Sequence, residues 1–335
     1  MKSDYRSILI IKPGAIGDLL HITPTIRALK RRYSDARITM LVSSPVTAQL
    51  FRYNPHVAET IVYDRKGEHR SLSALLGLWR RLRAARFDLV LNFQRSNLKT
   101  WFLTTAAFPC RLLVYHKSRK RLMHAVVNHG ETLVPLGFVP RDEHLELFTG
   151  LDDEAFVNTL LSRYSLVQQT LVAINPGASN RIKCWSTKSF AELADRLQQK
   201  LGVRVLIVGG GDELDLAEEI TSAMENEPVG LIGATSLTQL GSLLRKCAVL
   251  VSGDTGPLHL ATAVGTRVIG LFGAIEPLRT GPVGEGHLVI RHPEVPCVPC
   301  NARSCRHVPY LECMDRITVA EVFAAVERML AGKEG

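Results

Sequence analysis

Three short runs in the 335-residue sequence combine glycines with charged or hydroxyl side chains, and each follows an apolar segment. The first, residues 13–18, reads Pro-Gly-Ala-Ile-Gly-Asp and contains Gly14, Gly17 and Asp18. Glycines let a backbone come close to a ligand, and an ionised carboxylate within reach of a hydroxyl group can act as a general base. The same carboxylate can instead cap the following helix, and the pattern leaves both roles open.

A second run, residues 175–186, has the composition of a loop that holds an anion. It reads Asn-Pro-Gly-Ala-Ser-Asn-Arg-Ile-Lys-Cys-Trp-Ser, with small polar residues and two cations after an apolar segment. Lys183 can bind a phosphate group as a point charge. The alternative is a solvated loop in which Trp185 is buried as a packing anchor.

The third run, residues 251–261, predicts a diphosphate site. It reads Val-Ser-Gly-Asp-Thr-Gly-Pro-Leu-His-Leu-Ala, with a proline at the expected start of a helix. The N–H groups of Thr255 and Gly256 would then lie at the helix N-terminus, where anions bind. Asp254 precedes them, and His259 lies on the turn nearest to the anion.

A fourth run, residues 209–213, reads Gly-Gly-Gly-Asp-Glu and also joins a strand to a helix. It fails the dinucleotide fingerprint G-x-G-x-x-G because Leu214 stands at the third glycine position. The sequence contains no Walker A motif either. Glu213 can bind ribose hydroxyls, or the segment is simply a solvated helix start.

Strands that alternate with helices position these runs. The apolar segments and helical periodicities predict parallel βαβ units in doubly wound sheets. The run 170–178 repeats the pattern of 10–15, so we expect two similar α/β domains, residues 1–165 and 166–317. The amphipathic segment within 318–335 could pack on either domain. Ligands of such sheets bind at the carboxyl ends of the strands, which predicts a site in a cleft between the domains.

The composition is that of a globular protein, with 46% apolar and 22% charged residues. No apolar run reaches the ~18 residues that a membrane-spanning helix needs, and the first apolar segment is too short for a signal peptide. We therefore expect a cytoplasmic protein.

The net charge of +9 favours an anionic partner such as a nucleic acid, a phosphorylated substrate or a membrane surface. Aromatic residues are 6% of the chain and are not interleaved with the basic clusters, which argues against single-stranded nucleic acid. These clusters are either solvated faces or a docking surface for an acidic ligand. They comprise Lys30, Arg31, Arg32; Arg80, Arg81, Arg83, Arg86; and Lys117, Arg119, Lys120, Arg121.

Four of the seven cysteines lie together near the C-terminus, at Cys297, Cys300, Cys305 and Cys313. Four thiols could hold zinc or an iron–sulfur cluster, but their spacing fits no standard pattern well. Reduced thiols or local disulfides are the alternatives. We expect this segment to lie away from the three motifs.

Taken together, the runs resemble the heptosyltransferases of lipopolysaccharide assembly, glycosyltransferase family 9, which have the GT-B fold. The similarity covers nearly the whole chain. In that family a Gly-Asp pair after the first strand supplies the catalytic base, and a Lys-x-Trp run contacts the ADP diphosphate. An Asp-Thr-Gly-x-x-His run contacts the sugar nucleotide. The matching residues here are Gly17, Asp18, Lys183, Trp185, Asp254, Thr255, Gly256 and His259, with Ser179 as a hydroxyl residue four positions before the lysine.

The resemblance implies inverting, single-displacement transfer of heptose from ADP-heptose to the lipopolysaccharide inner core. Asp18 would be the base and Lys183 would stabilise the leaving diphosphate. It also implies no cofactor and an anionic acceptor at the inner leaflet of the membrane, with the enzyme peripheral to it. The family usually has proline after Lys-x-Trp, where this chain has Ser186.

Two alternatives remain at the level of sequence. One is a GT-B glycosyltransferase with a different nucleotide-sugar or acceptor, because the motifs identify a diphosphate better than a sugar or a base. The other is a non-catalytic protein that binds a sugar nucleotide.

Overall fold

The computed structural model describes residues 4–65, 67–94, 98–116 and 121–332. These residues form two compact units, Met1–Phe148 and Thr149–Gly335. Three members of the third basic cluster, Lys117, Arg119 and Lys120, lie outside the described residues.

The first unit contains a five-stranded parallel sheet with the order β3-β2-β1-β4-β5. Residues 8–11 of its central strand are fully buried, which is the pattern of a strand covered on both faces. The strands are β1 Ser7–Ile11, β2 Arg37–Val42, β3 Glu59–Val62, β4 Leu89–Asn92 and β5 Arg111–Val114. The helices are α1 Ile16–Leu20, α2 Thr23–Arg32, α3 Pro45–Ala48, α4 Leu72–Ala84, α5 Leu98–Thr105 and α6 Ala125–Gly130.

The helical segment after β1 is split in two, whereas the sequence pattern predicts one helix from Asp18 to Arg32. α1 ends at Leu20 and α2 begins at Thr23. Pro24 explains the break, because a proline inside a helix lacks the N–H group and its ring clashes with a carbonyl one turn earlier. That carbonyl, on Leu20, instead accepts a hydrogen bond from the Thr23 hydroxyl at 2.7 Å.

The second unit contains a six-stranded parallel sheet with the order β11-β10-β9-β6-β7-β8. The strands are β6 Leu171–Asn175, β7 Arg204–Gly209, β8 Val229–Ile232, β9 Val249–Gly253, β10 Arg267–Leu271 and β11 Leu288–Ile290. The helices are α7 Leu151–Arg163, α8 Thr187–Leu201, α9 Leu214–Ala223, α10 Leu237–Lys246, α11 Gly256–Ala263, α12 Pro277–Thr280, α13 Glu312–Asp315 and α14 Val319–Ala331.

The residues of helix α8 explain where this helix begins, where it ends and which face is buried. Ser186 caps its first turn by accepting a hydrogen bond from the Ser189 amide at 3.0 Å, and Gly202 ends it with a φ of 62°. Its apolar side chains recur at helical spacing and enter the core of the second unit. They are Phe190, Leu193, Ala194 and Leu197.

The boundary between the two units lies after Phe148, 17 residues before the predicted boundary between residues 165 and 166. Helix α7 therefore belongs to the second unit. The buried carboxylate of Asp153 on α7 accepts a hydrogen bond from Thr238 on α10 at 3.0 Å. The C-terminal helix α14 also packs on the second unit. Its Val322 and Val326 share a core with Leu193 of α8.

In each sheet the chain leaves the central strand in one direction and later returns to its other side. The two reversals lie between β1 and β4 and between β6 and β9. Side chains that follow these strands therefore gather at the carboxyl edge, where open α/β sheets bind ligands. No helix in the described part of the chain is long and apolar enough to cross a membrane.

Candidate functional site

The turn after β1 pairs a buried lysine with an accessible carboxylate. The Nζ atom of Lys12 lies 3.5 Å from Oδ1 of Asp18, and the two side chains are 9% and 53% exposed. Gly14 makes room for the pair, since a Cβ on it would lie 2.9 Å from the Cβ of Asp18. The turn thus presents a carboxylate to solvent beside a fixed positive charge.

Asp18 lies in the first turn of α1, whose N-cap residue is Ala15. The carboxylate of Asp18 forms an ion pair with Lys12, so its interactions are not limited to those of a helix cap. Gly17 lies inside the helix, where its carbonyl accepts the His21 amide at 2.9 Å.

Behind this pair lie the buried His129 and the half-buried Tyr115, which no sequence motif singles out. Nε2 of His129 lies 3.5 Å from Nζ of Lys12, and the Tyr115 ring centroid lies 6.0 Å from the same atom. Burial lowers the pKa of His129 to about 3, and the Lys12 charge acts in the same direction. Burial, followed by the charge of Asp18, raises the pKa of Tyr115 to about 12. At neutral pH both rings are uncharged, so Lys12 supplies the positive charge beside Asp18.

Lys12 could have been found from sequence, because it directly follows a fully apolar run and precedes the Gly-Asp turn. His129 and Tyr115 could not. They lie more than 100 residues from Lys12 in the sequence and reach it only through the folded sheet.

The buried His129 is expected to make the protein less stable in acid. Its folded pKa of about 3 is below the ordinary value, so the unfolded chain takes up a proton between about pH 6.5 and pH 3 while the folded chain does not. The free energy of unfolding therefore falls by up to about 1.4 kcal/mol per pH unit in this range, or about 2 kcal/mol between pH 7 and pH 5.

Urea unfolding of the wild type and His129→Gln at pH 7 and pH 5 measures this contribution. The glutamine variant should lose less stability on acidification, whereas His116→Gln, at an exposed position, should behave like the wild type. Equal acid sensitivity of the wild type and His129→Gln would contradict the assignment.

In the second unit, three predicted residues converge at the carboxyl edge of the sheet. Nζ of Lys183 lies 2.6 Å from Oδ2 of Asp254, and Nε2 of His259 lies 3.6 Å from Oδ1 of the same carboxylate. Burial by itself would raise the pKa of Asp254. The nearby His259 ring nitrogen and the charge of Lys183 outweigh burial and lower this pKa. Asp254 therefore stays ionised and anchors the lysine.

Asn175, at the end of β6, links the loops and was not singled out from sequence. Its Oδ1 accepts hydrogen bonds from the hydroxyls of Thr255 and Ser252 at 3.0 and 3.1 Å. Its Nδ2 donates to Glu213 at 3.2 Å. A buried polar residue at the end of an apolar strand was the available signal. With Thr255 held in this way, Gly256 begins α11 and the amides of both residues lie at its N-terminus.

Glu213 fills the space beside two glycines. A Cβ on Gly177 or on Gly209 would collide with its carboxylate. Burial raises the pKa of Glu213, although the Gly210 amide and Asn175 donate hydrogen bonds to its carboxylate and oppose this effect. Glu213 therefore lies in the same group of loops as Thr255, connected to it through Asn175.

The loop that carries Lys183 is a single 3₁₀ turn, Arg181–Lys183, capped by Asn180. Trp185 is buried and donates a hydrogen bond to the Ile317 carbonyl at 2.9 Å, so it is the predicted packing anchor. Ser179 is exposed, and Ser186 stands at the cap of α8. Trp185 thus packs as the second alternative expects, and Lys183 reaches the Asp254 carboxylate. Binding of an anion by this loop stays a prediction.

Gly253 lets this loop approach β9. A Cβ there would lie 2.5 Å from the Lys183 carbonyl oxygen, a backbone atom that cannot rotate away. Gly253→Ala should therefore displace the loop and lower stability by about 1–3 kcal/mol, the usual cost of overpacking. Thermal melting of the variant checks this. Gly230→Ala is the control, because a Cβ there meets no atom within 4 Å; equal effects of both substitutions would refute the steric argument.

The cysteine segment contacts one of the three motifs, whereas its position in the sequence predicts that it lies away from them. The Arg303 carbonyl accepts a hydrogen bond from Asn180, which caps the Lys183 turn, at 2.8 Å. The four cysteines are free thiols, and burial together with the neighbouring thiols raises the pKa of Cys313 to about 11. Within the described ranges, no three side chains among His, Cys, Asp and Glu are arranged to hold a metal ion.

Comparison with known proteins adds independent information. The model of glycosyltransferase family 9 (heptosyltransferase) matches residues 142–311. The chain is 29% identical to lipopolysaccharide heptosyltransferase 3 of Escherichia coli K12, with 94% of this chain and 95% of that protein aligned.

Two solved structures share the fold over nearly their whole length. A family 9 glycosyl transferase from Veillonella parvula has a TM-score of 0.88 at 23% identity, with 99% of each chain covered. ADP-heptose lps heptosyltransferase II of E. coli has a TM-score of 0.81 at 21% identity, with 98% of this chain and 100% of that chain covered. These likenesses and the two parallel sheets confirm the predicted GT-B fold. Because the family model spans half of the sequence, the chain belongs to glycosyltransferase family 9, the heptosyltransferases.

Proposed function

We propose that this glycosyltransferase moves heptose from ADP-heptose to the inner core of lipopolysaccharide, with inversion at the anomeric carbon. The names of the relatives support both substrates, since they are a lipopolysaccharide heptosyltransferase and an ADP-heptose lps heptosyltransferase. In a single displacement, an acceptor oxygen bonds to the anomeric carbon while the bond from that carbon to the diphosphate breaks. The acceptor proton goes to Asp18, and ADP leaves.

The donor half of the reaction is assigned to the second unit. The Lys183 ammonium, held by Asp254, would meet the diphosphate together with the amides of Thr255 and Gly256 at the start of α11. Positive charge and helix dipole stabilise the negative charge that grows on the leaving diphosphate. Glu213 would accept hydrogen bonds from the ribose hydroxyls, and Ser179 is the exposed hydroxyl on the same loop as Lys183.

The acceptor half is assigned to the first unit. Asp18 is accessible, so an incoming hydroxyl can reach it. Lys12 is a positioning residue, because its buried ammonium lies 3.5 Å from one oxygen of the Asp18 carboxylate. This arrangement would leave the other oxygen free to turn toward the acceptor proton.

We propose that this chemistry proceeds without a cofactor. The sequence lacks the Asp-x-Asp pair with which many glycosyltransferases hold a divalent ion, and Lys183 with the α11 N-terminus would supply positive charge to the diphosphate instead. Assaying transfer with EDTA and with added Mg²⁺ tests this. A requirement for Mg²⁺ would contradict it.

The convergence of Lys183, Asp254 and His259 at the β6/β9 reversal is the observation that carries the proposal. Doubly wound sheets bind phosphate groups at the helix N-termini that follow their strands, which favours a nucleoside diphosphate as the ligand here. Titration calorimetry with ADP, GDP and UDP, followed by transfer assays with ADP-heptose and purified lipopolysaccharide core, tests it. We expect ADP to bind most tightly and heptose to be transferred.

The same experiment separates the alternatives. Preferential binding of UDP or GDP would indicate a GT-B enzyme with a different donor. Binding of ADP-heptose without transfer to any core acceptor would indicate a non-catalytic binding protein. Either outcome would overturn the proposed reaction.

A further inference from the structure

Each unit carries a lysine–aspartate pair at the carboxyl edge of its sheet, and the two pairs differ in how closely they approach. Nζ of Lys183 lies 2.6 Å from Oδ2 of Asp254, which is the distance of a strong, charge-assisted hydrogen bond. Nζ of Lys12 lies 3.5 Å from Oδ1 of Asp18, which is longer than an ordinary N–H···O hydrogen bond. An open pair of this kind is expected where a second acceptor competes for the ammonium group.

The imidazole of His129 is that second acceptor. Its Nε2 atom also lies 3.5 Å from Nζ of Lys12, so the ammonium lies equally far from the ring nitrogen and from the Asp18 carboxylate. An ammonium group can only donate hydrogen bonds, so Nε2 must offer its lone pair and the ring proton must be on Nδ1. Burial lowers the pKa of His129 to about 3, so the ring is neutral at neutral pH and can accept.

The His129 ring is fixed in place by aromatic neighbours. Its centroid lies 5.4 Å from that of Phe93, edge to face, and 5.0 Å from that of Tyr115. Tyr115 is itself held, because its hydroxyl donates a hydrogen bond to Asn128 at 2.7 Å and its ring stacks on Phe93. The ring therefore cannot follow the lysine, and the position of Nε2 determines where the ammonium can lie.

Other titratable groups near the ring do not replace this acceptor. The charges of Lys12 and His124 lower the pKa of His129, and the charge of Asp18 opposes them, but burial is the largest effect. Burial also raises the pKa of Tyr115 to about 12, so its hydroxyl stays protonated. At neutral pH the local charge therefore depends on Lys12 and Asp18, with neutral His129 beside them.

We infer that His129 is a positioning residue, which draws the Lys12 ammonium away from Asp18 so that the carboxylate can accept the acceptor proton. This inference rests on the proposed function, in which Asp18 is the base. An ammonium group stabilises the charged form of a carboxylate more strongly as it comes closer. A pair as close as that of Lys183 and Asp254 would make Asp18 a weaker base and slow the proton transfer.

Rates of heptose transfer measured over a series of pH values test this role. His129→Leu should let Lys12 close on Asp18 and lower kcat by about 3–10-fold at neutral pH. The acid limb of the pH profile of kcat/KM should move to lower pH, because the closer ammonium keeps the carboxylate ionised in stronger acid. The KM for ADP-heptose should stay within about twofold. Unchanged kcat in a folded variant, or an acid limb at higher pH, would overturn the inference.

Two further variants serve as rescue and as matched control. His129→Gln should recover most of the rate that leucine loses, because its side-chain oxygen can accept a hydrogen bond from Lys12. His69→Leu removes another buried histidine of the first unit, 7% exposed, whose ring packs against Tyr63. It should keep the rate and pH profile of the wild type. If His129→Leu does not fold, His129→Phe replaces it, since phenylalanine keeps a ring but has no lone pair to offer.

The Lys12→Met background separates positioning from a structural role. Without the ammonium group His129 has nothing to position, so Lys12→Met/His129→Leu should have the same kcat and pH profile as Lys12→Met. Additive losses of rate in the double variant would show that His129 only packs, and they would overturn the inference.

A crystal structure of His129→Leu tests the geometry without any transfer assay. Nζ of Lys12 should move to about 2.8 Å from the Asp18 carboxylate. A lysine that stays 3.5 Å away, or turns away from the carboxylate, would overturn the inference. If the pair closes in the variant but the wild type transfers no heptose, the proposed function fails and the positioning of Lys12 by His129 stands.

Discussion

Asp18→Asn is expected to lower the transfer rate by about 10³-fold while ADP affinity stays within a few-fold of the wild type. The amide has the shape of the carboxylate but cannot accept the acceptor proton. General-base catalysis contributes about 10²–10⁴-fold, and its loss affects kcat rather than the binding of a diphosphate in the other unit. The substitution also removes the charge that faces the buried Lys12, so its melting temperature should be measured beside its activity.

Initial rates with ADP-heptose and purified core, together with calorimetric ADP binding, check this result. Asp35→Asn is the control, because Asp35 is exposed in the same unit and belongs to none of the motifs. Near-normal turnover of a folded Asp18→Asn protein would sink the assignment of the base. An equal loss of ADP affinity would show that Asp18 acts in donor binding.

Lys183→Ala is expected to weaken ADP binding and to lower kcat/KM for ADP-heptose by about 10²–10³-fold. The lysine would meet the diphosphate in the ground state, which accounts for the effect on affinity. Its charge would act more strongly as the leaving group gains negative charge, which accounts for the additional effect on rate. A single preorganised group of this kind is worth about 2.7–4 kcal/mol of activation free energy.

The experiment must separate the loss of ADP binding and activity in Lys183→Ala from a loss of folding. Removal of the lysine leaves the Asp254 carboxylate, which is 8% exposed, without the ammonium group that lies 2.6 Å from it. Lys183→Ala should therefore also melt at a lower temperature, and Lys183→Ala/Asp254→Asn should recover part of the stability but not the ADP affinity. Lys188→Ala, an exposed change on α8, is the control. An effect confined to the KM of the acceptor would contradict the assignment of Lys183.

The sequence by itself determined the strands and turns that position the candidate site, and it was sufficient to identify the family. Apolar runs such as those of β1 and β9 have to be buried parallel strands, because their residues are apolar on both faces of the pleat. The glycine-rich turns after them mark the carboxyl edge, so Asp18, Lys183 and Asp254 could be placed at strand ends without a structure. Local chemistry also accounts for the capping of α8 by Ser186 and its end at Gly202.

Other features depend on contacts between residues that are distant in sequence, and only the tertiary structure decided them. His129 reaches Lys12 across 117 positions, and Asp254 meets Lys183 across 71. No local pattern records which loops the sheet order brings together. For the same reason the sequence placed α7 in the first domain, whereas its contact with α10 joins it to the second unit. Periodicity shows which face of a helix is apolar, but the partner of that face is chosen by the packing of the whole chain.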